Sequence, residues 1–290
     1  MSINPAHDEF VIAGDLTFHC VQWGEQGPAI IFVHGITANA FCFQAFADEL
    51  AHDHLVFAYD LRGRGDSDKP ESGYSIPIHA ADLAELIDEL RLDRPIIAGH
   101  SLGAWVALYF AANYPEKLSK LILIDAGASP KWKTVEEQPA WLTTSINRLG
   151  TSVPSFEEYT QRLKAVPYLG PYWNPYIDLY FEHDVYHRSN GSVVAKAYRE
   201  GVLEDDRCIF ENKPEEQWQH VEVPMLLLRG GQGLFTDNDQ LLPEQAVVAI
   251  QRGITNCRYV NFPELNHYTI IFGVDGGPAK TIRDFVEEEQ

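Results

Sequence analysis

Gly99-His100-Ser101-Leu102-Gly103 carries the most chemical content of any short stretch in the chain. A β-rich run, Pro95 to Ala98, leads directly into it, and a helix-length segment with Ala104, Val106, Ala107 and Leu108 leads out from Leu102. A strand that passes straight into a helix forces the residue between them into a tight, strained turn, and the flanking glycines keep other side chains clear. The Ser101 hydroxyl would then stand at a sheet edge and a helix N-terminus, where free N–H groups and the helix dipole favour the negative charge formed in acyl transfer. A chance Gly-Ser turn is the bland alternative, and the elements on either side weigh against it. A nucleophilic serine needs a base, and a positioned base is worth roughly 100- to 10,000-fold in rate. Of the 11 histidines, His267 lies in a loop after the last expected strand and before the C-terminal helix.

Bringing residues 101 and 267 together demands a particular scaffold. Short β-rich runs occur at Glu9 to Ile12, Leu16 to Trp23, Ala29 to Val33, Leu55 to Tyr59, Pro95 to Ala98, Leu121 to Ile124, Met225 to Arg229 and Cys257 to Asn261. Helix-length amphipathic segments fall at Ala40 to Ala51, His79 to Leu90, Leu102 to Asn113, Asp239 to Gln251 and Ala279 to Glu288. Such alternation predicts an α/β protein with a mostly parallel, eight-stranded sheet covered by helices on both faces. From Pro130 to about His220 the alternation stops and aromatic and acidic residues dominate. This stretch reads as a mainly helical cap inserted between strands 6 and 7, dividing the core into 1–129 and 221–290, with 130–220 over the carboxyl ends of the strands, where open sheets bind ligands.

At these residues the chain resembles the α/β-hydrolase fold superfamily, over nearly its whole length and most weakly in the cap. His34-Gly35-Ile36 after the third strand is similar to that family's oxyanion loop, Asp60-Leu61-Arg62-Gly63-Arg64-Gly65-Asp66-Ser67 to its usual turn after the next strand, and Asn266-His267-Tyr268 to the loop that holds its base. The resemblance implies Ser101 as nucleophile, His267 as general base, and the backbone N–H groups of Ile36 and Leu102 as the oxyanion hole. Loss of one such donor typically costs roughly 100- to 1000-fold in rate. It also implies that His34, Gly35 and the Arg62 to Ser67 turn shape the site without doing chemistry.

The acid departs from the family's common pattern. Relatives usually place an Asp a few residues after the glycine that ends the seventh strand, but Gly230 is followed here by Gly231, Gln232, Gly233 and Leu234. Asp125, at the end of the sixth strand, resembles the acid of relatives such as haloalkane dehalogenases and a zearalenone-type lactonase. Asp237, or with less reason Asp239, remains open if the Gly-rich loop bulges back toward His267.

A serine with an oxyanion hole fits acyl transfer to water and argues against the epoxide-hydrolase and dehalogenase chemistries of the family, which use an elbow Asp. The expected substrate is a neutral, small or medium-sized, largely apolar ester or lactone. His100, a packing or pocket-wall residue inside the elbow, and Trp132, Trp173 and Tyr176 of the cap are candidate substrate-binding residues; the cap aromatics, with Trp141, Tyr168, Tyr172, Tyr180 and Phe181, could equally be cap core. A small-molecule receptor with slow turnover, a cofactor-free perhydrolase or haloperoxidase, a carbon–carbon bond hydrolase and a non-catalytic scaffold are the competing readings. No cofactor and no metal are expected: His183 and His187 have ligand spacing but neither HExxH order nor a clear third ligand, so a solvated cap face is the plainer reading.

Composition bounds the rest. The 290 residues are 45% apolar, enough for a substantial core, and no continuous apolar run reaches the roughly 18 to 20 residues a bilayer demands. The polar opening lacks a secretory pattern, so a cytoplasmic location is expected. Four scattered cysteines form no CxxC pair and read as free thiols. A formal net charge of -20, from 42 acidic against 22 basic side chains, opposes nucleic acid and anionic membrane surfaces as partners.

Overall fold

The computed structural model describes residues 3–209 and 211–288. Ten strands and ten α-helices follow one another along these residues. The strands are β1 (His7–Ala13), β2 (Leu16–Trp23), β3 (Ala29–Val33), β4 (Leu55–Tyr59), β5 (Ile96–His100), β6 (Leu121–Ile124), β7 (Val185–His187), β8 (Val193–Ala195), β9 (Met225–Gly230) and β10 (Cys257–Phe262). The helices are α1 (Gln44–Leu50), α2 (Ile76–Glu89), α3 (Leu102–Asn113), α4 (Ala140–Asn147), α5 (Phe156–Lys164), α6 (Pro175–His183), α7 (Arg199–Ile209), α8 (Pro214–Gln217), α9 (Glu244–Gly253) and α10 (Gly277–Glu287).

Eight strands form one sheet in the order β1-β2-β4-β3-β5-β6-β9-β10. β1 and β2 pair antiparallel with each other, and β2 antiparallel with β4; every other pairing is parallel. The central strands read as unbroken apolar runs, Ala29–Val33 and Leu121–Ile124 among them, because helices cover both faces and leave no polar side to alternate with. All eight strands fall at the positions expected from the sequence, as do the five core helices to within a few residues.

Between β6 and β9 lie α4 to α8 and a small antiparallel ribbon, β7 with β8. The mainly helical region expected here also carries two three-residue strands. His183 ends α6 while His187 lies in β7, so the two do not share a helix face. His183 stacks on Phe41 at 3.5 Å between ring centroids, and His187 faces Glu182 at 3.3 Å on the surface.

Register delivers the functional residues to one edge. His100 pairs with Ile124 across β5 and β6, and Ile124 with Leu228 across β6 and β9. The next residue on each strand therefore emerges at the same level: the Ser101 N–H donates to the Ile124 carbonyl (3.2 Å) and the Asp125 N–H to that of Leu228 (2.8 Å).

Candidate active site

Ser101 sits between β5 and α3 with φ 57° and ψ -121°, a backbone state that costs a non-glycine residue energy and persists where its surroundings enforce it. The glycines are needed for contact. A Cβ on Gly99 would lie 2.0 Å from the Gly103 carbonyl oxygen, and one on Gly103 would lie 1.9 Å from that of Val33, so α3 presses directly onto β3. Gly35 likewise faces the serine, where a Cβ would stand 3.2 Å from Ser101 Cβ.

His267 Nε2 lies 3.0 Å from Ser101 Oγ, and its Nδ1 lies 2.7 Å from Asp125 Oδ2. The other carboxylate oxygen of Asp125 accepts the Gly230 N–H at 2.9 Å. Asp125 and His267 are 1% and 3% exposed, so water competes little for these bonds. Burial lowers the His267 imidazole to about 3 and raises the Asp125 carboxyl to about 7. The direction that matters is the first: the ring is neutral near neutral pH, and with Nδ1–H donated to Asp125 its Nε2 lone pair faces the serine.

Asp237 does not meet His267. It lies exposed in the loop after β9, its carbonyl accepting from Gln240 Nε2 at 2.6 Å. Asp239 is committed to the same loop, accepting the N–H groups of Leu234 (2.7 Å) and Phe235 (2.9 Å). The two glycines at the end of β9 let that strand touch the histidine loop: a Cβ on Gly230 would sit 2.8 Å from the Asn266 backbone carbon, and one on Gly231 2.7 Å from Pro263 Cα. The Asn266 carboxamide accepts the N–H groups of Tyr268 and Thr269, and its Nδ2 donates to the Tyr168 carbonyl at 2.9 Å, tying that loop to the segment between β6 and β9.

His34 Nδ1–H donates to the Gly35 carbonyl at 2.8 Å and its Nε2 accepts the Leu61 N–H at 3.0 Å. Burial lowers it to about 4, so the neutral tautomer that makes both bonds is the stable one. Asp60 shapes the neighbouring turn, accepting N–H groups of Ala40 (2.8 Å) and Asp66 (2.9 Å). With His19 these two acids form the one three-residue group of possible metal ligands among the described residues. Asp60 already spends its oxygens on backbone N–H groups and His19 Nδ1, which suits a structural turn.

A cavity enclosing about 420 Å³ of empty space, its mouth included, opens over Ser101 and His267. Gly35, Ile36, His100, Trp141, Leu142, Tyr180, Tyr268 and Phe272 are among its walls. Of the candidate substrate-binding residues, only His100 is a wall, and its Nε2–H is spent on the His267 carbonyl at 2.8 Å. Trp132, Trp173 and Tyr176 lie elsewhere. Trp132 packs edge-on against Trp141, Trp173 stacks on Phe181 and donates to Asp178, and the Tyr176 hydroxyl reaches Asp48. A second chamber, with Arg148, Leu163, Val166 and Tyr168, shares Thr37, Ser145, Tyr180 and Tyr268 with the first.

Residues 28–274 match the sequence profile of the alpha/beta hydrolase fold. The chain belongs to the α/β-hydrolase family. It is similar to 2-(acetamidomethylene)succinate hydrolase of Mesorhizobium japonicum, 37% identical over 129 residues that cover 43% of this chain and 46% of the relative. It is also similar to N-formylmaleamate deformylase of Pseudomonas putida, 33% identical over 140 residues, 48% of this chain and 52% of that one. The aligned stretches span about a third to a half of the curated relatives' length. A crystal structure of E-2-(acetamidomethylene)succinate hydrolase superposes with a TM-score of 0.84 at 24% identity, covering 98% of this chain and all of the other, a likeness of fold within the α/β-hydrolases. Among the described residues no helix is long and apolar enough to cross a membrane.

Proposed function

We propose that this α/β-hydrolase transfers the acyl group of a small or medium-sized, largely apolar ester or lactone to water through an acyl-enzyme on Ser101. The observation that carries the reading is the 3.0 Å approach of His267 Nε2 to Ser101 Oγ, with Nδ1 anchored on Asp125. As Oγ attacks the carbonyl carbon, its proton passes to Nε2, and the imidazolium is stabilised by Asp125. The carbonyl oxygen becomes negative and meets the N–H groups of Ile36 and Leu102; the latter opens α3 and is one of the donors a helix leaves without an internal partner. The imidazolium then protonates the leaving oxygen, and a water, deprotonated by His267, releases the acid. Trp141, Leu142, Ile271 and Phe272 give the acyl chain an apolar wall.

The activity names of two relatives, a 2-(acetamidomethylene)succinate hydrolase and an N-formylmaleamate deformylase, favour a second reading in which the bond cleaved is acyl–nitrogen. The same serine and base perform it, with Nε2 protonating a leaving amine. Labelling by a fluorophosphonate, lost in Ser101→Ala, tests both readings. Turnover of nitrophenyl esters, lactones and small N-acyl compounds of graded chain length separates them. A wild-type serine that stays unlabelled removes the hydrolase reading, and one acyl release per protein without turnover favours a slow receptor.

A further inference from the structure

The loop after β3 has three successive carbonyls, each gripped by a donor. The Gly35 carbonyl receives His34 Nδ1–H (2.8 Å) and the Ala38 N–H (3.1 Å). That of Ile36 receives Arg64 Nε–H at 3.0 Å, and that of Thr37 receives Arg148 Nη2–H at 3.2 Å. In a trans peptide the C=O and N–H point in opposite directions. Fixing each oxygen therefore fixes the N–H of the residue that follows: Arg148, on the Thr37 carbonyl, aims the Ala38 N–H at the Gly35 oxygen, that oxygen sets the Ile36 N–H, and Arg64 holds the peptide between them.

The two arginines share a second property: each is backed by a carboxylate of the inserted region. Arg64 Nη2 meets Asp205 of α7 at 2.5 Å, and Asp205 also faces His79 Nε2 at 2.9 Å. The Arg64 and Asp205 side chains are 0% and 1% exposed. Against the upward push of burial, the charges of His79 and Arg64 hold Asp205 down at about 2, so the pair stays ionised. Arg148 Nη1, following α4, meets Asp184 at 2.6 Å beside the Tyr159 hydroxyl. Breaking either partner of a buried ion pair leaves an uncompensated charge, so each of these pairs resists separation. These two lie where cap meets core, and each hands its remaining donor to the loop.

We propose that Arg64 and Arg148 are positioning residues through which the docked cap sets the direction of the Ile36 N–H. This rests on the reading of Ser101 as nucleophile and Ile36 as an oxyanion donor. Core and cap then complete the oxyanion hole together: Asp205 to Arg64 to the Ile36 carbonyl on one side, Asp184 to Arg148 to the Thr37 carbonyl on the other.

The test uses the full chain carrying Arg148→Met, which keeps the apolar stem, and Arg148→Lys, with Asp205→Asn as the independent arm. Amide hydrogen exchange is read over 35–38, and 4-nitrophenyl acetate hydrolysis gives kcat and KM. In Arg148→Met, exchange at 35–38 is expected to speed up about five- to tenfold, as loss of one hydrogen bond allows. The same variant should lose about ten- to a hundredfold in kcat, less than removal of an oxyanion donor, with KM within about twofold. Arg148→Lys should recover part of the loss, and Asp205→Asn should repeat the pattern from the other side. Unchanged exchange at 35–38 in both Arg148→Met and Asp205→Asn overturns the proposal. So does a kcat loss that merely follows a chain-wide rise in exchange. A wild type that neither labels with fluorophosphonate nor hydrolyses the ester overturns the hydrolase reading instead, and the exchange data still decide whether the arginines hold the loop.

Discussion

Asp125 and Gly230 stand on adjacent strands, and the backbone N–H of Gly230 donates 2.9 Å to the carboxylate oxygen that His267 does not use. The strand whose end commonly carries the family's acid supplies a backbone donor here, and the carboxylate that meets His267 Nδ1 stands at the end of β6. In Asp125→Asn the amide oxygen can keep the Gly230 bond, which turns the amide NH2 toward His267 Nδ1 and favours the wrong tautomer. We expect kcat to fall about 10,000-fold, the size of effect seen when a triad aspartate is replaced by asparagine. Asp237→Asn, on an exposed loop, should stay within about twofold of the wild type, since surface changes away from a site rarely matter. Equal losses in the two variants contradict the assignment.

Ser101→Ala should abolish fluorophosphonate labelling, and His267→Ala should slow it by about 100- to 10,000-fold, the value of a positioned base. Circular dichroism unchanged in both variants would show that the loss is chemical. Undiminished labelling in His267→Ala would mean that another group takes the serine's proton.

The form of His267 that accepts a proton is neutral, so kcat/KM should fall as pH falls and be flat on the alkaline side. Burial lowers His267 to about 3 and raises Asp125 to about 7, and two groups in contact take up protons as a pair. The acid limb is therefore expected between those values. A rate that rises on acidification contradicts this assignment of the base.

Stability should share that sign. His34, His100 and His267 are lowered by burial from 6.5 to about 4, about 3 and about 3. Below 6.5 the unfolded chain takes up protons that the folded one refuses, so their contribution is full above 6.5 and is lost as pH falls toward 3 to 4. Asp125, raised by burial, acts oppositely between 3.8 and about 7, as do Asp184, Asp206 and His19, which are also raised, whereas His54 and His183, lowered by burial, act with the three histidines. Asp60 and Asp205, both held near 2, add a further loss below 3.8. Thermal melts should show Tm dropping progressively below about pH 6. A flat Tm down to about pH 4 contradicts the neutral buried histidines.

The elbow was legible because its determinants are local: an apolar strand, two glycines and an apolar helix within twenty residues. The sheet was legible for the same reason, each buried strand being a short apolar run between turns. The acid was not, because Asp125 and Asp237 both follow strands, and only the register of β6 against β9, with the Gly230 contact, decides which carboxylate reaches His267. The β7–β8 ribbon has strands of three residues, too short for an alternating pattern to register. Arg64 sat in a turn read as structural, and its contact with Asp205 joins residues 141 apart, a pairing no local pattern encodes.

The cap aromatics give the sharpest contrast between sequence and structure. Trp141 and Trp173 are chemically alike, yet Trp141 lies 5.2 Å from the His267 ring between centroids and walls the cavity. Trp173 stacks on Phe181 at 5.5 Å with Lys164 Nζ 4.8 Å over its face, away from the serine. Trp141→Ala should therefore enlarge the acyl site and move the chain-length optimum of nitrophenyl esters toward longer acids, at a stability cost of about 3–5 kcal/mol typical of a buried aromatic truncation. Trp173→Ala removes contacts remote from the serine, the stack on Phe181, the hydrogen bond to Asp178 and the Lys164 contact, so its chain-length profile should overlay the wild type even where Tm falls. The measurement is kcat/KM across acetate to decanoate esters for both variants at a temperature well below either Tm. A profile altered by Trp173→Ala and untouched by Trp141→Ala would place the acyl site in another part of the cap.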